Sequence, residues 1–82
     1  MTEAEVYEQL NEIVRDVFMD DDITVGPETT TDQVEGWDSF NHLNVIVAVE
    51  QRFGIKMKGN EIGSMKNVGD LATLILAKLE AR

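Results

Sequence analysis

Two adjacent side chains with chemistry to offer stand at the head of an apolar run: Asp38 and Ser39, followed three residues later by His42, the chain's lone histidine. Asp38 is of the type that caps a helix by accepting a first-turn N–H, and nothing breaks a helix from there to Phe53. Ser39 then falls in the first turn. Backbone N–H groups without helical acceptors and the positive end of the helix dipole favour an anion attached there, so a phosphodiester on the Ser39 hydroxyl would be well accommodated. Taken alone, an Asp-Ser pair ahead of apolar residues is usually no more than a cap. A nucleophilic pairing of Ser39 with His42 needs a third group to orient the imidazole, and the sequence suggests no Ser-His-Asp set. His42 reads as a surface or rim histidine.

The elements that must position these residues are helical. Thr2 and Glu5 have capping-box spacing, and Val6, Leu10, Ile13, Val14 and Val17 recur on one face of a helix from about Thr2 to Phe18. Periodicity stops between Met19 and Trp37, where Gly26-Pro27, three successive threonines and Gly36 break any helix. A loop of that length inside a small domain is expected to be ordered by apolar anchors, here Ile23, Val25, Val34 and Trp37. The second helix begins at the Asp38 cap and ends at Phe53, with Gly54 as a left-handed C-cap. Gly59 to Ser64 forms at most a short helical turn, and Asn67 with Asp70 starts a last helix carrying Leu71, Leu74, Ile75 and Leu79. The expectation is an all-α bundle of three main helices and a short one, forming a single domain over residues 1–82.

At about 100° per residue the second helix has two apolar sides. Val45, Ile46, Val49 and Phe53 share one; Phe40, Leu43 and Val47 form a separate stripe beside Ser39. An 82-residue bundle has little capacity to bury a helix all round, so the second stripe, with Glu50, is expected to face a partner. A largely apolar cleft is expected between this helix and the short third one, lined by Ile46, Val49, Met57, Ile62 and Leu71.

Composition narrows the classes of function. A formal charge of −9 disfavours nucleic acid and anionic membrane and favours basic protein partners. The acidity is concentrated: residues 1–38 hold twelve of the sixteen acids and a single base, Arg15. Without Cys there is no disulfide framework or thiolate cluster, and one His cannot build a metal site alone. Asp20-Asp21-Asp22 does not open a calcium loop, because the turn glycine would fall on Val25 and the bidentate acid on Thr31. No apolar run approaches a membrane span, and the acidic start Met1-Thr2-Glu3-Ala4-Glu5 is unlike a targeting peptide, so a cytoplasmic location is expected; the chain is also expected to be a monomer.

The run Gly36-Trp37-Asp38-Ser39-Phe40, then Val45-Ile46-Val47-Ala48-Val49-Glu50 and Phe53-Gly54-Ile55, resembles the attachment motif and following helix of acyl carrier proteins. The order of elements is similar along nearly the whole chain. The resemblance implies a four-helix acyl-carrier-type bundle that is not an enzyme. Its Ser39 would receive 4′-phosphopantetheine from coenzyme A in a separate, magnesium-dependent phosphopantetheinyl transferase and hold acyl groups as thioesters. Asp38 would be the adjacent cap. Partners would be the transferase, an acyl or aminoacyl ligase, and acyltransferase or synthase enzymes of fatty-acid, polyketide or related biosynthesis. Many relatives have Leu after the serine and several acids along the next helix, where this chain has Phe40, Asn41, His42 and Asn44 and keeps Glu50. The Asp-Ser-Phe form is also similar to D-alanyl carriers, and Gly-Trp-Asp-Ser to polyketide and peptidyl carriers. The alternatives are therefore an aminoacyl, D-alanyl or peptidyl carrier, an unmodified acidic adaptor, and a hydrolase using Ser39 and His42.

Overall fold

A computed structural model of the chain describes residues 1–81. Helix α1 spans Glu3–Phe18, α2 Ser39–Phe53, α3 Gly59–Gly63 and α4 Val68–Ala81, with a single 3₁₀ turn at Thr31–Gln33 in the long connection. No strand occurs among the described residues. None of these helices is long and apolar enough to cross a membrane.

Local chemistry sets the helix ends. The Thr2 hydroxyl accepts the Glu5 N–H (3.2 Å) while the Glu5 carboxylate accepts the Thr2 N–H (2.9 Å), a reciprocal cap of α1. Gly54 ends α2 at φ +67°, the left-handed conformation that costs a glycine least. Met19 ends α1 in the same conformation at φ 54° without that exemption. Asn67 and Asp70 begin α4: Asn67 Oδ1 accepts the Asp70 N–H (2.8 Å), and Asp70 Oδ2 accepts the N–H of Lys66, the residue before Asn67 (2.9 Å).

The core lies where three apolar stripes converge. Val6, Leu10, Ile13 and Val14 come from α1, Val45, Ile46, Val49 and Phe53 from α2, and Val68, Leu71, Ala72 and Ile75 from α4. Val25 and Ile55 seal it from the connections. Each such side chain contributes roughly 1.5–3 kcal/mol by leaving water, so this stripe convergence is what holds a chain without cross-links.

Asn11 and Arg15, on α1, hold the long connection by its backbone. The Asn11 amide pairs with both the N–H (2.7 Å) and the carbonyl (3.2 Å) of Val25, and Arg15 Nε donates to the Ile23 carbonyl (2.7 Å). Further on, the carbonyls of Thr29 and Pro27 accept the first N–H groups of α4, from Val68 (2.8 Å) and Gly69 (3.0 Å). The connection thus crosses from α1 to the head of α4. It arrives at Trp37, whose indole packs on Phe18 with ring centroids 5.4 Å apart, directly ahead of α2.

Candidate functional site

Asp38 is the N-cap of α2: its Oδ1 accepts the Asn41 N–H at 2.9 Å and its carbonyl accepts the His42 N–H at 2.8 Å. Ser39 is the first helical residue and is exposed. Its N–H and that of Phe40 belong to the opening turn, where no preceding carbonyl can serve them within the helix. Asn41 closes the approach from behind by donating to the Gly36 carbonyl (2.8 Å), at a left-handed glycine (φ +86°) that turns the chain into the helix.

Beside Ser39 opens a cleft of about 490 Å³, walled by Asp38, His42 and Leu43 of α2, Thr31 and Trp37 of the connection, and Ile62, Gly63 and Met65 of the α3 region. Adjoining it is a smaller, inner pocket of about 10 Å³, reaching Asn67, Val68 and Leu71 and sharing Thr31, Trp37, His42 and Met65 with the outer cleft. An exposed hydroxyl at a helix N-terminus, opening on a partly apolar cleft, fits a phosphodiester-linked arm on Ser39.

The cleft differs from the expected one. Ile62 lies on its wall and Leu71 on the inner cavity, but Ile46, Val49 and Met57 line neither. Ile46 and Val49 are 2% and 0% exposed and belong to the core. Met57 is half-buried, its N–H held by the Glu50 carboxylate at 2.9 Å. The α2 side chains on the cleft are instead His42 and Leu43, one turn before Ile46, whose face of the helix is turned to the core. Through its bond to the Met57 N–H, one carboxylate oxygen of the half-buried Glu50 also secures the segment after α2.

His42 is not a simple rim side chain. Trp37 Nε1–H donates to its Nδ1 at 3.1 Å, and its Nε2 lies 3.3 Å from the Ile62 carbonyl. An indole N–H can only donate, so Nδ1 accepts and the hydrogen sits on Nε2, which donates to Ile62. The imidazole therefore ties the connection, α2 and the C-terminal end of α3 together. Both ring nitrogens are engaged away from Ser39, and the general-base geometry of a hydrolase is not formed. Sequence spacing placed His42 beside Ser39 but carried no sign of partners five and twenty residues away.

Phe40, Leu43 and Val47 stand 72%, 53% and 49% exposed, a continuous apolar stripe from the Ser39 end of α2. Glu61, on α3, accepts the Lys58 N–H (2.8 Å) and meets Lys78 of α4 (3.0 Å); these contacts hold its carboxyl below its ordinary value.

The family model described as "Phosphopantetheine attachment site" matches residues 8–75. The chain is 30% identical over 81 residues to an acyl carrier protein of Thermosynechococcus vestitus, covering 99% of this chain and 100% of that one. An acyl carrier protein of Acidothermus cellulolyticus is 32% identical over 76 residues, covering 92% and 89%. The solution NMR structure of a holo acyl carrier protein from Geobacter metallireducens superposes with a TM-score of 0.87 at 41% identity, over 93% of this chain and 87% of that one.

Proposed function

The chain belongs to the acyl carrier protein family, and from that premise we propose that Ser39 is the residue that carries its 4′-phosphopantetheine. The observation that carries this reading is the placement of an exposed Ser39 in the first turn of α2, on the lip of a cleft. Asp38 is committed to the helix by its bond to Asn41, which keeps the Ser39 turn formed. The attached group supplies a terminal thiol that holds an acyl group as a thioester. This chain's own residues supply position: the helix N-terminus faces the phosphodiester, and Leu43, Ile62 and Met65 offer apolar contact along the cleft.

Ser39 is a modification site in this reading and not a nucleophile activated by His42, whose two ring nitrogens are bonded to Trp37 and Ile62. The hydroxyl oxygen displaces the nucleotide side of the coenzyme A pyrophosphate, and a transferase must supply the metal and the base. The stripe of Phe40, Leu43 and Val47 is the surface on which that transferase, a loading ligase and acyltransferases or synthases dock. An aminoacyl carrier uses the same arm and is distinguished by its ligase.

Incubation with coenzyme A, magnesium and a promiscuous pantetheinyl transferase adds one phosphopantetheine by intact mass, and Ser39→Ala abolishes the gain. The substitution leaves stability within about 0.5 kcal/mol, because Asp38 retains the cap. Modification of the Ala variant overturns the assignment, and a wild-type chain that stays unmodified returns the reading to an acidic adaptor.

A further inference from the structure

Thr31, Trp37, His42 and Met65 line both the cleft beside Ser39 and the smaller pocket next to it, so they stand where the two spaces meet and form the partition at that junction. Across that partition runs a continuous polar line, from the Trp37 indole N–H to His42 Nδ1 (3.1 Å) and from His42 Nε2 to the Ile62 carbonyl (3.3 Å). We infer that His42 is a length gate for the carried group: short cargo rests in the outer cleft, and long alkyl chains are kept out of the interior by the closed Trp37–His42–Ile62 line. The inference rests on the reading of Ser39 as the attachment point.

The two spaces differ in what they ask of a guest. The outer cleft of about 490 Å³ carries polar walls, Asp38, Ser39, Thr31 and His42, beside Leu43 and Ile62, and accepts a short acyl group without disturbing any bond. The smaller pocket of about 10 Å³ holds roughly one water, so an alkyl chain passing from the cleft fits there only if the side chains at the junction move. Moving them separates the imidazole from both partners. A methylene chain offers neither donor nor acceptor, so the indole N–H, the Ile62 carbonyl and the imidazole would be left unsatisfied beside the new guest. Contact with Met65, Val68 and Leu71 is the gain on offer, and it must exceed that loss before a longer chain withdraws from water.

The experiment loads Ser39 with pantetheine arms bearing saturated acyl chains from acetyl to dodecanoyl, confirms loading by intact mass, and follows cleavage of each thioester by hydroxylamine. Wild-type protein releases octanoyl and dodecanoyl groups as fast as butyryl. His42→Ala protects the longer chains, slowing dodecanoyl release about tenfold relative to wild type. Trp37→Phe, which keeps an aromatic ring but removes the donor, moves the same way. His42→Gln, whose amide can accept from Trp37 and donate to Ile62, restores the length-independent rate. Equal protection of long chains in wild type and His42→Ala overturns the gate. Absence of any mass gain instead removes the attachment reading beneath it, so the two failures are distinguishable.

Discussion

Val47 and Ile46 are neighbours on α2 with opposite surroundings, one 49% exposed between Phe40 and the end of the helix, the other 2% exposed among Val45, Val49 and Phe53. A carboxylate at position 46 would be buried without a partner, and Ile46→Asp is expected to cost more than about 4 kcal/mol and abolish cooperative unfolding. Val47→Asp is expected to stay within about 0.5 kcal/mol of wild type yet slow pantetheinylation, because it breaks the apolar stripe a transferase would cover. Thermal melts and loading rates of the two variants check this. Equal loss of stability would place the stripe in the core and move docking to the connection or α3. Sequence could separate these two faces because helical phase is a local property. It could not find the role of His42, whose meaning depends on where the chain brings Trp37 and Ile62.

At the scale of elements, the same division holds. Thr2 with Glu5, Asp38, Gly54, and Asn67 with Asp70 are short-range signals, and each marks a helix end found in the structure. Met19 gave no signal, since a left-handed C-cap at a non-glycine follows from how α1 must stop before the connection descends to Val25. Gly69 was equally silent. A Cβ there would lie 2.5 Å from the Pro27 carbonyl oxygen, at the point where α4 takes its first hydrogen bonds from the connection. Gly69→Ala is therefore expected to destabilise by about 1–3 kcal/mol despite the better helix propensity of alanine, because backbone must move to admit the methyl. Met19→Gly is expected to raise stability by up to about 1 kcal/mol, since the side chain is 91% exposed and only its φ is strained. Urea midpoints of the two variants should shift in opposite directions. The cleft was the least legible feature, as its walls come from the connection, α2 and the α3 region, and no local pattern reports their meeting.

Across the whole molecule, a charge of −9 opposes compaction while a few carboxylates are bound into the fold, so acidification acts in two directions. Protonating the surface acids of the N-terminal half relieves repulsion, and added salt near neutral pH should raise the midpoint of unfolding by screening the same term. Glu61 works the other way. The Lys58 N–H first, then the Lys78 ammonium, favour its charged form and lower its carboxyl from the ordinary 4.5, so α3 is fastened to α4 by an ionised group. A carboxyl lowered on folding contributes stability that is fully present above its unfolded value and is lost as pH falls through its folded one. The contribution is thus expected to be constant at neutral pH and to disappear below the ordinary carboxylate range. Comparison of wild type with Glu61→Gln isolates it, because the relief of repulsion is nearly common to both. Their urea midpoints should differ most near neutral pH and converge as Glu61 is protonated, with amide exchange at Gly59 to Ser64 accelerating in wild type over the same interval. Midpoints that coincide at every pH would mean that α3 is held by apolar packing of Ile62 and not by the Glu61 contacts.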